Sequence, residues 1–168
     1  AGIYFGPDQD NFVRLIVDDG SHGQVLTFKD EIGGGNPTLP TSVQSVNIGS
    51  FSSINTLDLR LTGDPSTGKV VASYAINGGA FTTLSSALTL TCSNASKFFS
   101  SAARAGVTQN NSGAPNPIIV AYDTFSITRG GTVAVGHPSA IDVRPREGST
   151  AVSRDSFIAV DLNLPNSG

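Results

Sequence analysis

From Leu57 to Leu61 every second residue is leucine, so Leu57, Leu59 and Leu61 fall on one side of an extended backbone and Asp58 and Arg60 on the other. A repeat of two belongs to a β-strand, whose successive side chains point to opposite faces; a helix, turning once every ~3.6 residues, would scatter these leucines around its circumference. A strand of this kind buries one face and wets the other, and therefore requires a sheet with a core beneath it. The pattern recurs. Phe12, Arg14 and Ile16 oppose Val13, Leu15 and Val17, the segment Gln24 to Phe28 alternates again, and Val71, Ser73 and Ala75 alternate with Val70, Ala72, Tyr74 and Ile76.

Turn chemistry separates these runs. Gly6-Pro7-Asp8-Gln9-Asp10 and Asp18-Asp19-Gly20-Ser21-His22-Gly23 bracket the strand at Asn11 to Val17, which predicts a meander of Gly2 to Phe5, Asn11 to Val17 and Gln24 to Phe28. Gly63-Asp64-Pro65-Ser66-Thr67-Gly68 joins the leucine strand to Lys69–Ile76. Asn77-Gly78-Gly79 then supplies the positive-φ residues of a tight hairpin, with Ala80 to Leu84 returning. Gly106 to Gln109 and Ile118 to Thr128 read as further strands, Ile32 to Thr41 as a surface loop, and Ser93 to Arg104 as the one candidate helix. A change of character at Gly136-His137-Pro138 precedes two more strands, Ile141 to Val143 and Phe157 to Leu164. Short strands at this spacing predict an all-β fold, an antiparallel β-sandwich or jelly roll, with a short C-terminal β extension. Strand-like sequence at both ends leads to the expectation of a segment from a larger polypeptide, with partner strands from missing sequence or another molecule.

The chain carries 14% charged residues against a usual ~25%, which suits a folded domain rather than a solvated tail. A net charge of −3 provides no basic face, which argues against nucleic acid as a partner. No run of ~18 apolar residues is present, so membrane insertion is not expected. Cys92 is the single cysteine, which rules out an internal disulfide and reads as a small buried hydrophobe.

Asp8, Asp10 and Asn11 gather oxygen ligands of the kind calcium requires, making calcium the one candidate cofactor; the same residue types also stabilise turns by bonding the backbone. Glu31 and Glu147, the only glutamates, fall in different predicted units, so no carboxylate pair for glycoside hydrolysis is evident and no catalytic residue is assigned. His22 and His137 lie beside turn residues in no catalytic arrangement, and Gly33-Gly34-Gly35 lacks the Lys-Ser/Thr of a phosphate loop. For a sugar-binding sandwich the candidate ligand residues are Tyr74 with the loop amides of Asn36, Asn110 and Asn111. Tyr4, Tyr74 and Tyr122 each sit in apolar-rich sequence, where packing competes with ligand stacking, and Asn77 is explained by hairpin geometry.

Three segments, Ala1-Gly-Ile-Tyr-Phe-Gly-Pro-Asp-Gln-Asp-Asn-Phe-Val13, Val70-Val-Ala-Ser-Tyr-Ala-Ile-Asn-Gly-Gly79 and Ala121-Tyr-Asp-Thr-Phe-Ser-Ile127, together resemble the concanavalin A-like lectin/glucanase superfamily, in particular laminin-G-like modules of large bacterial surface proteins. The resemblance implies that residues 1–135 are a lectin-like sandwich lacking its first strands. Val143 to Leu162 resembles the start of a bacterial Ig-like repeat, making 136–168 a linker and the opening of that unit. The implied role is non-catalytic glycan binding or adhesion at the cell surface or outside the cell, with a glycan or a neighbouring surface protein as partner. The alternatives are a structural spacer or filament subunit that self-associates through strand edges and, further off, a polysaccharide hydrolase or lyase.

Overall fold

The computed structural model describes residues 1–20, 23–34, 43–109, 120–129, 132–133, 139–144 and 158–163. They fall into two compact units, Gly2–Arg104 and Ala105–Gly168, the latter with Ala1. The boundary expected at Gly136-His137-Pro138 lies outside the described residues.

In the first unit, β1 (Gly2–Asp8), β2 (Asn11–Gly20), β3 (Gly23–Ile32) and β4 (Val43–Gly49) pair antiparallel in sequence order. The predicted meander is present, with longer strands. β2 continues through Asp18, Asp19 and Gly20, and β1 continues through Gly6 and Pro7 to Asp8. That last extension holds a bulge. Phe5 pairs with Val13 and Asp8 with Asn11, so Gly6 and Pro7 together face Phe12. β4 was not anticipated.

The second sheet consists of β5 (Leu57–Asp64), β6 (Lys69–Ile76), β7 (Thr82–Thr83) and β8 (Leu88–Thr89), with β6 central and antiparallel to the others. Helix α1 (Cys92–Phe98) follows, shorter than the predicted segment. Pairing puts Leu15 opposite both Ile3 and Phe28, so these three share the inner face of the first sheet. They meet the second sheet in one core, where Val13, Leu15, Leu26, Phe28 and Ile48 pack with Val70, Ala72, Leu84, Leu88, Leu90 and Phe98. Leu57, Leu59 and Leu61 lie against that core while Asp58 and Arg60 are exposed, as the alternation required. The unit is an antiparallel β-sandwich.

Cys92 corrects one expectation, because it is exposed. Burial in this segment goes to Phe98, with Ala95 and Phe99 against the core, whereas Cys92 is the first helical residue, where the chain enters from the preceding loop.

Each tight turn engages its own polar side chains. Asn77 (φ 51°) and Gly78 (φ 71°) occupy the left-handed region, and the Gly79 amide donates to the Ile76 carbonyl at 3.0 Å. The Asn77 side chain also ties down the preceding loop, accepting from the amides of Asn55 (2.7 Å) and Thr56 (3.2 Å) and donating to the Ser53 carbonyl (3.0 Å). In the β5–β6 turn, Asp64 accepts from the Ser66 amide and hydroxyl at 2.9 and 2.6 Å and from the Thr67 hydroxyl at 2.7 Å. Hydrogen bonds from Ser66 and then Thr67 hold its carboxyl down at about 2. A depressed carboxylate stabilises the fold above its unfolded value, near 4, and that contribution disappears as pH falls through the folded value. An NMR titration is therefore expected to give Asp64 a midpoint near 2, and Asp64→Asn should flatten the acid limb of stability between about pH 4 and 2. A midpoint in the ordinary Asp range would contradict the turn geometry.

In the second unit, β9 (Arg104–Gln109) pairs antiparallel with β13 (Ile158–Asn163), which pairs in turn with β12 (Ser139–Arg144). β10 (Thr128–Arg129) and β11 (Thr132–Val133) form a separate pair. The strands expected within Gly106–Gln109, Ile141–Val143 and Phe157–Leu164 correspond to β9, β12 and β13. The long strand expected over Ile118 to Thr128 does not form, since Val120 to Ile127 takes part in no ladder. The Tyr122 hydroxyl of this segment donates to the Thr108 carbonyl at 2.9 Å. Among the described residues, no helix is long and apolar enough to cross a membrane.

Candidate functional site

The residues anticipated for calcium are near one another, but they serve the β1–β2 turn. One Asp8 carboxylate oxygen accepts from the Asp10 amide at 2.9 Å and from the Asn11 side-chain amide at 2.8 Å. The Asn11 side-chain oxygen accepts from the Gly33 amide at 3.0 Å, and the Asp10 carbonyl accepts from the Gly34 amide at 2.9 Å. These bonds tie the β1–β2 turn to the end of β3. Among the described residues no three His, Cys, Asp or Glu side chains cluster as metal ligands would. Of the candidate ligand residues, Asn36, Asn110 and Asn111 lie outside the described residues, as do His22, His137 and Glu147. Tyr74 is on β6, opposite Leu59, packed against the core. Tyr4 is buried as well, whereas Tyr122 is exposed.

The outer face of the first sheet carries charged side chains beside two buried aromatics, Tyr4 and Phe12. β2–β3 register sets Arg14 opposite Lys29 and Phe12 opposite Glu31. Burial lowers the Arg14 pKa, with Glu31 and Asp18 acting in the opposite direction; burial and then Arg14 lower that of Lys29. The Arg14 Nε is buried without a hydrogen-bond partner, and the guanidinium lies 5.5 Å from the Phe12 ring centroid. These groups are partly withdrawn from solvent and are poorly placed to meet a large ligand.

The outer face of the second sheet differs. Register places Arg60, Ser73 and Thr83 in one row across β5, β6 and β7, with Asp58 and Ala75 in the next. Phe81 joins this face, 40% exposed, with the Arg60 guanidinium 3.6 Å above its ring centroid. Ser73 and Ala75 are buried even though they face outward, because they are small and the residues beside them are not. Register continued from Thr82 sets Phe81 beside Ala75, so the Arg60–Phe81 contact spans β6 over these two residues.

The side chains of Asp8, Asp64 and Asn77 are occupied by their turns, whereas those of Asp58, Arg60, Ser73 and Thr83 make no hydrogen bond to a described residue. The ring contact holds the guanidinium, whose N–H groups meet no acceptor among the described residues. The face thus offers, side by side, a fixed donor fork, an acceptor-only carboxylate, hydroxyls and an aromatic ring. The leucine alternation marks Asp58 and Arg60 only as the wet side of a strand, and no local pattern singles out Phe81.

No family model, curated protein or solved structure matches this chain.

Proposed function

We propose that this chain is a non-catalytic binding module of a secreted or cell-surface protein and takes a glycan on the outer face of its β5–β7 sheet. One observation carries the reading: the exposed Arg60–Phe81 stack, flanked by Asp58, Ser73 and Thr83 with no hydrogen bond to a described residue. Sugars present hydroxyls that both donate and accept around apolar C–H faces, so a saccharide site needs donors, acceptors and an aromatic surface together. Asp58, Arg60, Ser73 and Thr83 stand on strands whose other face is the core, which keeps their spacing fixed in advance of binding, and Phe81 directly precedes β7. The lectin-like resemblance of the sequence points the same way.

The test is binding of the purified chain to an array of neutral and acidic glycans, repeated with Phe81→Ala. The wild-type chain is expected to bind and the variant to lose at least tenfold in affinity. The variant should stay folded with a loss of about 1 kcal/mol, since Phe81 lies outside the core. A wild-type chain that retains no glycan, acidic or neutral, would exclude this function.

A further inference from the structure

We infer that the ligand of the β5–β7 face is a carboxylate-bearing saccharide, a uronic-acid polymer, with the carboxylate held on Arg60; this rests on the glycan-binding reading above. Three observations converge on it. The Arg60 guanidinium carbon lies 3.6 Å from the Phe81 ring centroid, a contact that holds the group in place and screens it on that side, while its N–H fork has no protein acceptor among the described residues. A fixed planar fork matches a planar two-oxygen acceptor and forms two parallel charge-assisted hydrogen bonds with it, a geometry a lysine ammonium cannot reproduce.

Asp58 stands two residues along the same strand face, about 6.5–7 Å from Arg60 by strand rise, and forms no ion pair with it. Asp58 can therefore accept from hydroxyls while Arg60 holds the acid. The same carboxylate repels a ligand carrying anionic groups on every side, which disfavours densely sulfated chains. Thr83, exposed in the same row as Arg60, adds a hydroxyl to this face.

The experiment is calorimetric titration of the full chain with oligogalacturonate, its methyl ester, a neutral gluco-oligosaccharide and dextran sulfate. Oligogalacturonate is expected to bind at least tenfold more tightly than the methyl ester, and more weakly as salt rises. Arg60→Ala should remove that preference, and Arg60→Lys should restore only part of it, because the charge returns without the fork. Equal binding of acid and ester, with Arg60→Ala silent, would overturn the carboxylate assignment and leave the glycan-binding reading standing. Preference for dextran sulfate would likewise overturn it. Failure of all four saccharides, with the wider array also empty, would remove both.

Discussion

Gly6→Ala is expected to cost the first unit on the order of 3 kcal/mol or more, enough to leave much of the chain unfolded at moderate temperature. A Cβ built on Gly6 would sit 2.2 Å from the Asn11 carbonyl oxygen and 2.6 Å from the Phe12 Cα. Both are backbone atoms of the paired strand, so no side-chain rotation relieves the overlap. Either the β1–β2 ladder opens or the bulge at Gly6-Pro7 is lost. Losing the bulge would shift Asp8 against Asn11 and undo the bonds that tie this turn to Gly33 and Gly34. Gly33→Ala is the informative control, since Gly33 has φ +71° but nothing within 4 Å of the added Cβ. It should cost only the backbone penalty, about 1–2 kcal/mol. Urea unfolding followed by far-UV circular dichroism compares the two, and a Gly6→Ala midpoint equal to that of Gly33→Ala would show that the strands do not approach so closely.

The sandwich was legible wherever burial of one face imposed strict alternation. Leu57, Leu59 and Leu61 could satisfy their environment in only one way, and Asn77-Gly78 could fill only a turn with two positive φ angles. β4 was not legible, because Val43 and Val46 are three residues apart and break the repeat of two, although Val46 and Ile48 still turn inward. The stretch from Val120 to Ile127 misled in the opposite direction. Its Tyr, Phe and Ile suit a pleated half-buried surface, but β-propensity measures the fit to neighbours, and no neighbouring strand is present among the described residues.

The candidate face was half legible. Asp58 and Arg60 follow from the leucine alternation, whereas Phe81 depends on a register slip that no local pattern announces. Counting back from the turn closed by Ile76 and Gly79 would set Phe81 opposite Tyr74, and so on the inner face. In the structure Thr82 takes that place and Thr83 pairs with Ser73. One residue of slip between Gly79 and Thr82 exchanges the faces of the returning strand, sending Leu84 into the core and Phe81 out over Arg60.

Phe98→Ala is expected to destabilise the same unit by about 3–5 kcal/mol. Phe98 is fully buried although it belongs to a helix of only seven residues, too short to be stable without tertiary packing. Its ring meets Phe5 edge-to-face at 5.7 Å between centroids, and Phe99 adds a tilted contact with Phe5 at 5.4 Å, so α1 is pinned to β1 through this aromatic group. Removing the Phe98 ring leaves a cavity where helix, first sheet and second sheet converge, lined by residues already committed to the strand ladders and so unable to collapse into it. For a unit of this size the loss should lower Tm by more than about 10 °C. Amide protection in α1 should fall together with that of β1, because the two are coupled through Phe5. If the helix alone lost protection while β1 and the global melt stayed unchanged, Phe98 would be no more than a lid on a core that holds without it.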